Sequence, residues 1–395
     1  MTDPTSTPPP RAHRAPDVIS PTPSPLACPE TLDSVSRLVA DGGTLNLTGC
    51  SYAGELTIDN PVAIIGLKLA GRILVNASDV TLYAVEVAPG DARAQNGQVH
   101  VRNADRFTML HSYIHNGGGA GVSIDGGSGH IITASELAYM GQQGLHLPNV
   151  RHTLVKDNRI HNNNTDGYDP GWEVGAGKAV RAFRLVFENN EVFDNAGFGL
   201  WCDIYCHETI YRGNRIYNNL HAGIHDEVSY DGLVEGNIVY GNDPRRNGWW
   251  WPTQILVSSS SGTTVIDNVV AQGWAGITVV SQTRDDWPDI QPYRDIRLER
   301  NTIVDTERLI GWVDPDGIGL FETGRANISS DNRVWHSDAE PSLCRFEWNG
   351  CRDTLASFEQ ASGGHGNVYL TEAEARDLLV GSESPWETRT APGDP

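Results

Sequence analysis

The sequence predicts an all-β fold, a single-stranded right-handed parallel β-helix with short capping helices, and three observations carry that prediction. The first is a repeat. From about residue 95 the chain cycles through Gly, a short alternating strand, about six residues, a second strand, and then Asn followed by Arg, Ile or Val. The anchors are Ser112, Ser135, Asn158, Asn190, Asn214, Asn237, Asn268 and Asn301, spaced by 23, 23, 32, 24, 23, 31 and 33 residues. A base period of about 23 with insertions is the mark of a solenoid. The second observation is strand length. The apolar runs are a few residues long, rich in Val and Ile, and separated by Gly and Asn corners, which suits short stacked strands. The third is that runs of ten or more residues with 3.6 periodicity, which a helical solenoid would need, are missing from the repeat.

The elements follow in chain order. Residues 1–27 are rich in Pro, Thr and Ser and have too little apolar content to fold, so they read as a disordered linker. They contain no apolar stretch of the kind a secretory signal needs. Residues 28–44 form an N-terminal helical cap, because PETLDSVSRLVADGG carries Thr31 and Ser34 ahead of a helical apolar spacing. Residues 45–335 form the β-helix, whose repeated Asn should hydrogen-bond to one another in ladders from coil to coil. Residues 336–395 form a C-terminal cap and tail, with short helices in TLASFEQ and LTEAEARDLLV. Caps are required because an open solenoid end would pair with other chains. From about residue 50 to 335 the repeat resembles the pectate-lyase-like β-helix superfamily. The resemblance implies the fold and leaves the chemistry to the site residues.

Charge and cysteine content bound the function. Of 395 residues, 50 are acidic and 29 basic, a formal net charge of −21, and Lys68, Lys156 and Lys178 are the three lysines. That charge argues against nucleic acid and against anionic membrane surfaces as partners. An anionic substrate would need a metal or a local basic cluster. No apolar run approaches the length of a membrane span. The six cysteines fall into near-neighbour pairs, Cys28/Cys50, Cys202/Cys206 and Cys344/Cys351. None has the second CxxC of a structural zinc site, so three local disulfides and a secreted or extracellular protein are expected, with a polysaccharide substrate as its partner and the chain a monomer.

Stacking the coils on the anchor predicts which side chains are neighbours, since equivalent positions lie about 4.8 Å apart. One outward position of the strand that opens each coil reads His100, Ser123, His146, Lys178, Trp201, His225, Leu256, Thr278. The outward position two residues on reads Arg102, Asp125, Pro148, Val180, Asp203, Glu227, Ser258, Val280. Titratable residues gather in the middle coils, which marks a functional face there. An exposed solenoid face is polar in any case, but it seldom collects His, Lys, Trp, Asp and Glu together. Three insertions, NNTDGYDPGWE, DPRRNGWWWPT and QTRDDWPDIQPY, interrupt the period beside this face. They are expected to wall a groove with aromatics, among them Trp172, Trp250 and Trp287, which suit packing on sugar rings. The competing expectation is that the WWW run is a packing plug.

Asp203 and Glu227 are the candidate catalytic pair, as two carboxyls on adjacent coils fall in the glycosidase range. Mutual repulsion would keep one protonated. His225 would orient one of them, Trp201 would stack on a sugar, and His146 would lie at the edge. The expected activity is hydrolysis of polysaccharide glycosidic bonds, for which no cofactor is required. A second reading starts from Glu173 and Lys178 in EVGAGK, which resembles the Glu-x-x-x-x-Lys stretch of chondroitinase-B-like and alginate lyases. That resemblance implies calcium on Glu173 and Lys178 as the base of a lyase or epimerase. The basic residue those lyases place on the next coil is replaced here by Trp201 and Asp203. A third reading is a non-catalytic glycan-binding or surface module, which would need aromatics and amides but not this mix of acids and bases.

Overall fold

A computed structural model describes residues 23–246, 248–284, 293–337 and 343–380. The chain forms a right-handed parallel β-helix. Most coils contribute three short strands, as in Gln143–Pro148, Leu154–Lys156 and Arg159–His161, and each strand pairs in parallel with its equivalent one coil later. Inward Val, Ile and Leu fill the narrow interior. Alternation along each strand sends Leu145, Leu200, Ile224, Ile255 and Ile277 inside, all fully buried. The interior also holds Trp312, fully buried in a late coil, so the late coils have more room than the period suggests.

The expected Asn ladder is present and runs further than predicted. Each Nδ2 of Asn158, Asn190, Asn214, Asn237, Asn268, Asn301 and Asn332 donates to the Oδ1 of the next, ending on Asn367, at 2.9–3.1 Å. The same amides donate to main-chain carbonyls, as Asn214 does to Phe187. These bonds satisfy buried groups that the corner would otherwise orphan. The residue before each ladder Asn is left-handed: Asp157, Asn189, Gly213, Gly236, Asp267, Arg300 and Asp331 have φ between 52° and 63°. That is why Asp, Asn and Gly dominate there. A second ladder, Asn163, Asn195, Asn219 and Asn242, ends on Gln254. Its signal was available in the sequence as an Asn five residues past the anchor.

Helix α1 (Leu32–Asp41) caps the N-terminal end, with Thr31 accepting from the Ser34 amide and with Val35 and Val39 buried. Helices α2 (Leu355–Ser362) and α3 (Glu372–Val380) lie at the other end, where both were expected. The cysteines pair as 28–50, 202–206 and 344–351. Among the described residues no helix is long and apolar enough to cross a membrane. Most of the Pro-rich N-terminal segment lies outside the described residues.

Candidate active site

The site strands are β1 (Gly97–Arg102), β2 (Ala120–Asp125), β3 (Gln143–Pro148), β4 (Gly175–Val180), β5 (Phe198–Asp203), β6 (Ile224–Glu227) and β7 (Ile255–Ser258). Their register is the one the period predicts. His100 pairs with Ser123, Ser123 with His146, His146 with Lys178, Lys178 with Trp201, Trp201 with His225 and His225 with Leu256. Cys202 pairs with Asp226, so the next step sets Asp203 beside Glu227. These outward side chains are nevertheless buried; over the middle coils Glu173 reaches His146, the Trp172 carbonyl reaches Lys178, Trp249 and Trp251 pack on the cluster of Trp201 and Leu256, and Arg284 reaches Glu227.

Lys178, Asp203, Trp201, Glu227 and His225 meet in one network. Lys178 Nζ lies 2.9 Å from Asp203 Oδ2 and donates to the Trp172 carbonyl at 3.2 Å. The same ammonium sits 3.5 Å from the centre of the Trp201 ring, a cation–π contact. Trp201 Nε1 donates to Glu227 Oε2 at 3.1 Å. His225 Nε2 is 2.9 Å from Ser258 Oγ and 3.7 Å from Glu227 Oε2. Arg284, from the third insertion, donates to Glu227 Oε1 at 2.5 Å and to Ser259 Oγ at 3.1 Å.

Electrostatics favours the protonated form of Asp203. Burial and then the negative charge of Glu227 raise the pKa of Asp203 above the ordinary aspartate value, and the opposing pull of Lys178 does not cancel them. Burial holds the pKa of His225 well below the usual imidazole range, so this ring is neutral at physiological pH. Burial also raises Glu173, but hydrogen bonds from His146 and Gln95 outweigh it and leave its pKa lowered. Asp226 points inward. It accepts from Thr263 Oγ1 at 2.7 Å, its Oδ1 has no partner, and burial pushes its pKa up to about 6.

Glu173 and His146 form a second, adjoining group. Glu173 Oε2 accepts from Gln95 Nε2 at 2.5 Å and lies 3.1 Å from His146 Nε2, while His146 Nδ1 is 3.1 Å from Ser123 Oγ. As donors for calcium the acidic residues fit poorly. Glu173 Oε2 is engaged by Gln95 and His146, Asp203 by Lys178 and Glu227 by Arg284, so these oxygens already have partners a metal would have to displace. Among the described residues no three His, Cys, Asp or Glu side chains group as metal ligands would.

Other placements revise the sequence reading. Trp201 is 4% exposed, with Lys178 on its ring, His225 stacked 5.4 Å away and its Nε1 bonded to Glu227. Trp250 is not brought to the site. It is 3% exposed and packs on Trp274 and Ala275, with Arg308 5.0 Å from its ring and its Nε1 bonded to Glu347. Trp249 and Trp251 instead pack on Phe198, Trp201 and Leu256. The WWW run therefore splits between groove wall and plug. Trp172 is 43% exposed and touches the site through its carbonyl. Trp287 lies outside the described residues.

A cleft of about 580 Å³ opens over β5 and β6, lined by Asp169, Phe198, Trp201, His221, His225, Glu227, Arg245, Trp251 and Arg284 among others. Phe198, His221, Arg245 and Arg284 were not singled out in the sequence. Arg245 and Arg284 stand in insertions that have no repeat to align. Phe198 opens β5, and His221 lies three residues before β6 begins.

Comparison with known proteins agrees with this architecture. Residues 97–270 match the family model described as "Right handed beta helix region". This is a right-handed β-helix protein. The β-helix resembles two solved Azotobacter vinelandii structures. The A-module of mannuronan C-5 epimerase AlgE6 superposes with a TM-score of 0.55 at 14% identity, covering 86% of this chain and 93% of that one. The A-module of mannuronan C-5 epimerase AlgE4 gives 0.53 at 16%, covering 86% and 89%. At these identities the likeness establishes the fold alone. No curated protein matches the chain in sequence.

Proposed function

We propose that the β-helix is an extracellular carbohydrate-active enzyme that hydrolyses glycosidic bonds of a polysaccharide, with Asp203 and Glu227 as its carboxylate pair. The observation that carries this reading is the unequal treatment of two buried carboxyls on adjacent coils. Asp203 is biased toward its protonated form by burial and by Glu227. Glu227 accepts from Arg284 and Trp201, contacts that suit an ionised carboxylate. A glycosidase divides its labour in this way. Asp203 protonates the leaving oxygen, and Glu227 acts on the opposite side as base or nucleophile. Lys178 and Trp201 tie the pair into one rigid unit, and neutral His225 packs against Trp201 and steadies Glu227. This mechanism calls on no cofactor.

The two solved relatives are named for a polysaccharide-modifying activity, which supports a glycan as occupant of the cleft. The three disulfides support an oxidising, extracellular setting. The test is a polysaccharide panel, with and without EDTA, read by reducing ends and by ultraviolet absorbance. Reducing ends without absorbance, insensitive to EDTA, support hydrolysis. An absorbing unsaturated product, inhibited by EDTA and abolished by Lys178→Ala, would replace it with the calcium-assisted lyase. Glycan retention without turnover would leave a binding module.

A further inference from the structure

Resting on that assignment of the cleft to a glycan, we infer that the glycan is electrically neutral at the site, a polymer of uncharged sugars and not a polyuronate. A polyanion is gripped by cations that have charge to spare. Among the described residues that line the cleft, the two cations do not. Arg284 is held by Glu227 at 2.5 Å, and Arg245 by both oxygens of Asp243 at 2.6 and 2.7 Å. Lys178 is not part of the lining: it is buried against the Trp201 ring, 3.5 Å from its centre. Asp169 adds a further carboxylate to the lining. The two histidines add no charge at physiological pH. Burial and then the Arg245 charge depress His221 to about 4, and burial holds His225 neutral. A sugar carboxylate entering here would face two cations already neutralised and a surplus acid. It would also approach a chain whose net charge is −21.

What the cleft does offer suits a neutral sugar. Phe198 and Trp251 supply apolar wall. Wholly buried His225 lines the cleft, and its Nδ1 has no hydrogen-bond partner in the protein. A neutral imidazole nitrogen is matched to a hydroxyl, which donates or accepts as required. The cleft therefore selects partly by rejection, since an acidic sugar loses its hydration without gaining a free counter-charge.

The test measures binding apart from turnover. The inactive variant Asp203→Asn, which leaves the Arg284–Glu227 and Arg245–Asp243 pairs of the lining intact, is run in affinity gels containing xylan, mannan, mixed-linkage glucan, fully methyl-esterified polygalacturonan, or the saponified form of that last polymer. The expected result is retardation by at least one uncharged polymer. Any binding of the saponified chain should be at least about tenfold weaker, equivalent to about 1.4 kcal/mol. Asp243→Asn should narrow that gap, because it releases the Arg245 charge. Asn also accepts the left-handed backbone of residue 243, where φ is 49°. Retardation by the saponified polymer as strong as by any neutral one, or by no polymer at all, would overturn the inference. Retardation by a neutral polymer with no turnover by the unmutated protein would sink the hydrolase reading and leave this one standing.

Discussion

The Asn corner and the outward face of β3–β6 belong to the same coils and the same register, yet they are built on opposite principles. At the corner the same side chain recurs from Asn158 to Asn367, so each coil satisfies the next with one identical bond. On the outward face no two successive residues are alike from His146 through Lys178 and Trp201 to His225, and every contact is between unlike groups. Beyond it the face reverts to Leu256 and Thr278. Repetition marks the positions that hold the solenoid together. Its loss within a coil that keeps register marks the positions free to carry chemistry.

The largest expected effect is on the non-repeating face. Asp203→Asn or Glu227→Gln removes one charge and nearly keeps the shape. General acid–base assistance is worth about 10²–10⁴-fold, so turnover on a confirmed substrate should fall by that much while the melting temperature holds. The pH profile supplies the sign. Because the Asp203 pKa is raised and the acid must be protonated, activity should fall as pH rises through that value, and Asp203→Asn should abolish this alkaline limb. Wild-type rates from both variants would break the link between non-repetition and chemistry.

At the corner the effect should be on stability and not on activity. Asn214→Ala removes the bonds to Asn237 and Phe187, orphans the backbone N–H of Asn190 and leaves the Asn190 Nδ2 with the Val155 carbonyl alone. Unsatisfied buried polar groups cost about 1–3 kcal/mol each, so chemical denaturation should show a loss of about 3 kcal/mol. A variant as stable as the parent would mean the ladder is incidental to the fold.

The two regions also differed in how much of them the sequence disclosed. The order His146, Lys178, Trp201, His225 was readable because a fixed period converts spacing into adjacency. The ladder was readable for the same reason. What surrounds the column was not. Arg284 reaches Glu227 across 57 residues and Gln95 reaches Glu173 across 78, from segments with no repeat to index them. Trp250 was misplaced because adjacent residues in the WWW run face opposite ways, and composition does not say which. Trp201 was placed in its row correctly, but its buried state depended on the covering insertions.

Asp226 sharpens the comparison from inside the coil, where it sits between two site residues but faces the core. Its folded pKa of about 6 exceeds the ordinary aspartate value of 3.8. The folded state thus holds the proton more tightly, so stability is fullest at low pH and declines as pH rises from about 4 through 6. The loss is on the order of 3 kcal/mol by neutral pH. Asp226→Asn cannot ionise and should escape that loss. The difference in melting temperature, variant minus parent, should grow between pH 4 and pH 7. A difference that stays flat with pH would show that Asp226 is not ionising in the core.

The smallest effect tests whether even the repeating corner tolerates an exception. Arg300 is the one residue before a ladder Asn that is neither Asp, Asn nor Gly, and its φ is 52°. A left-handed conformation costs an ordinary side chain about 1–2 kcal/mol, and Asn much of that less. Arg300 gains in return an exposed pairing with both oxygens of Asp267, at 2.9 and 2.8 Å. Solvent screens such a pair strongly. Relief of backbone strain should therefore outweigh the lost pair, and Arg300→Asn should be stabilised by about 0.5 kcal/mol, read as a small rise in melting temperature with activity unchanged. A fall of several degrees would mean that the surface pair, not the backbone preference, sets this corner.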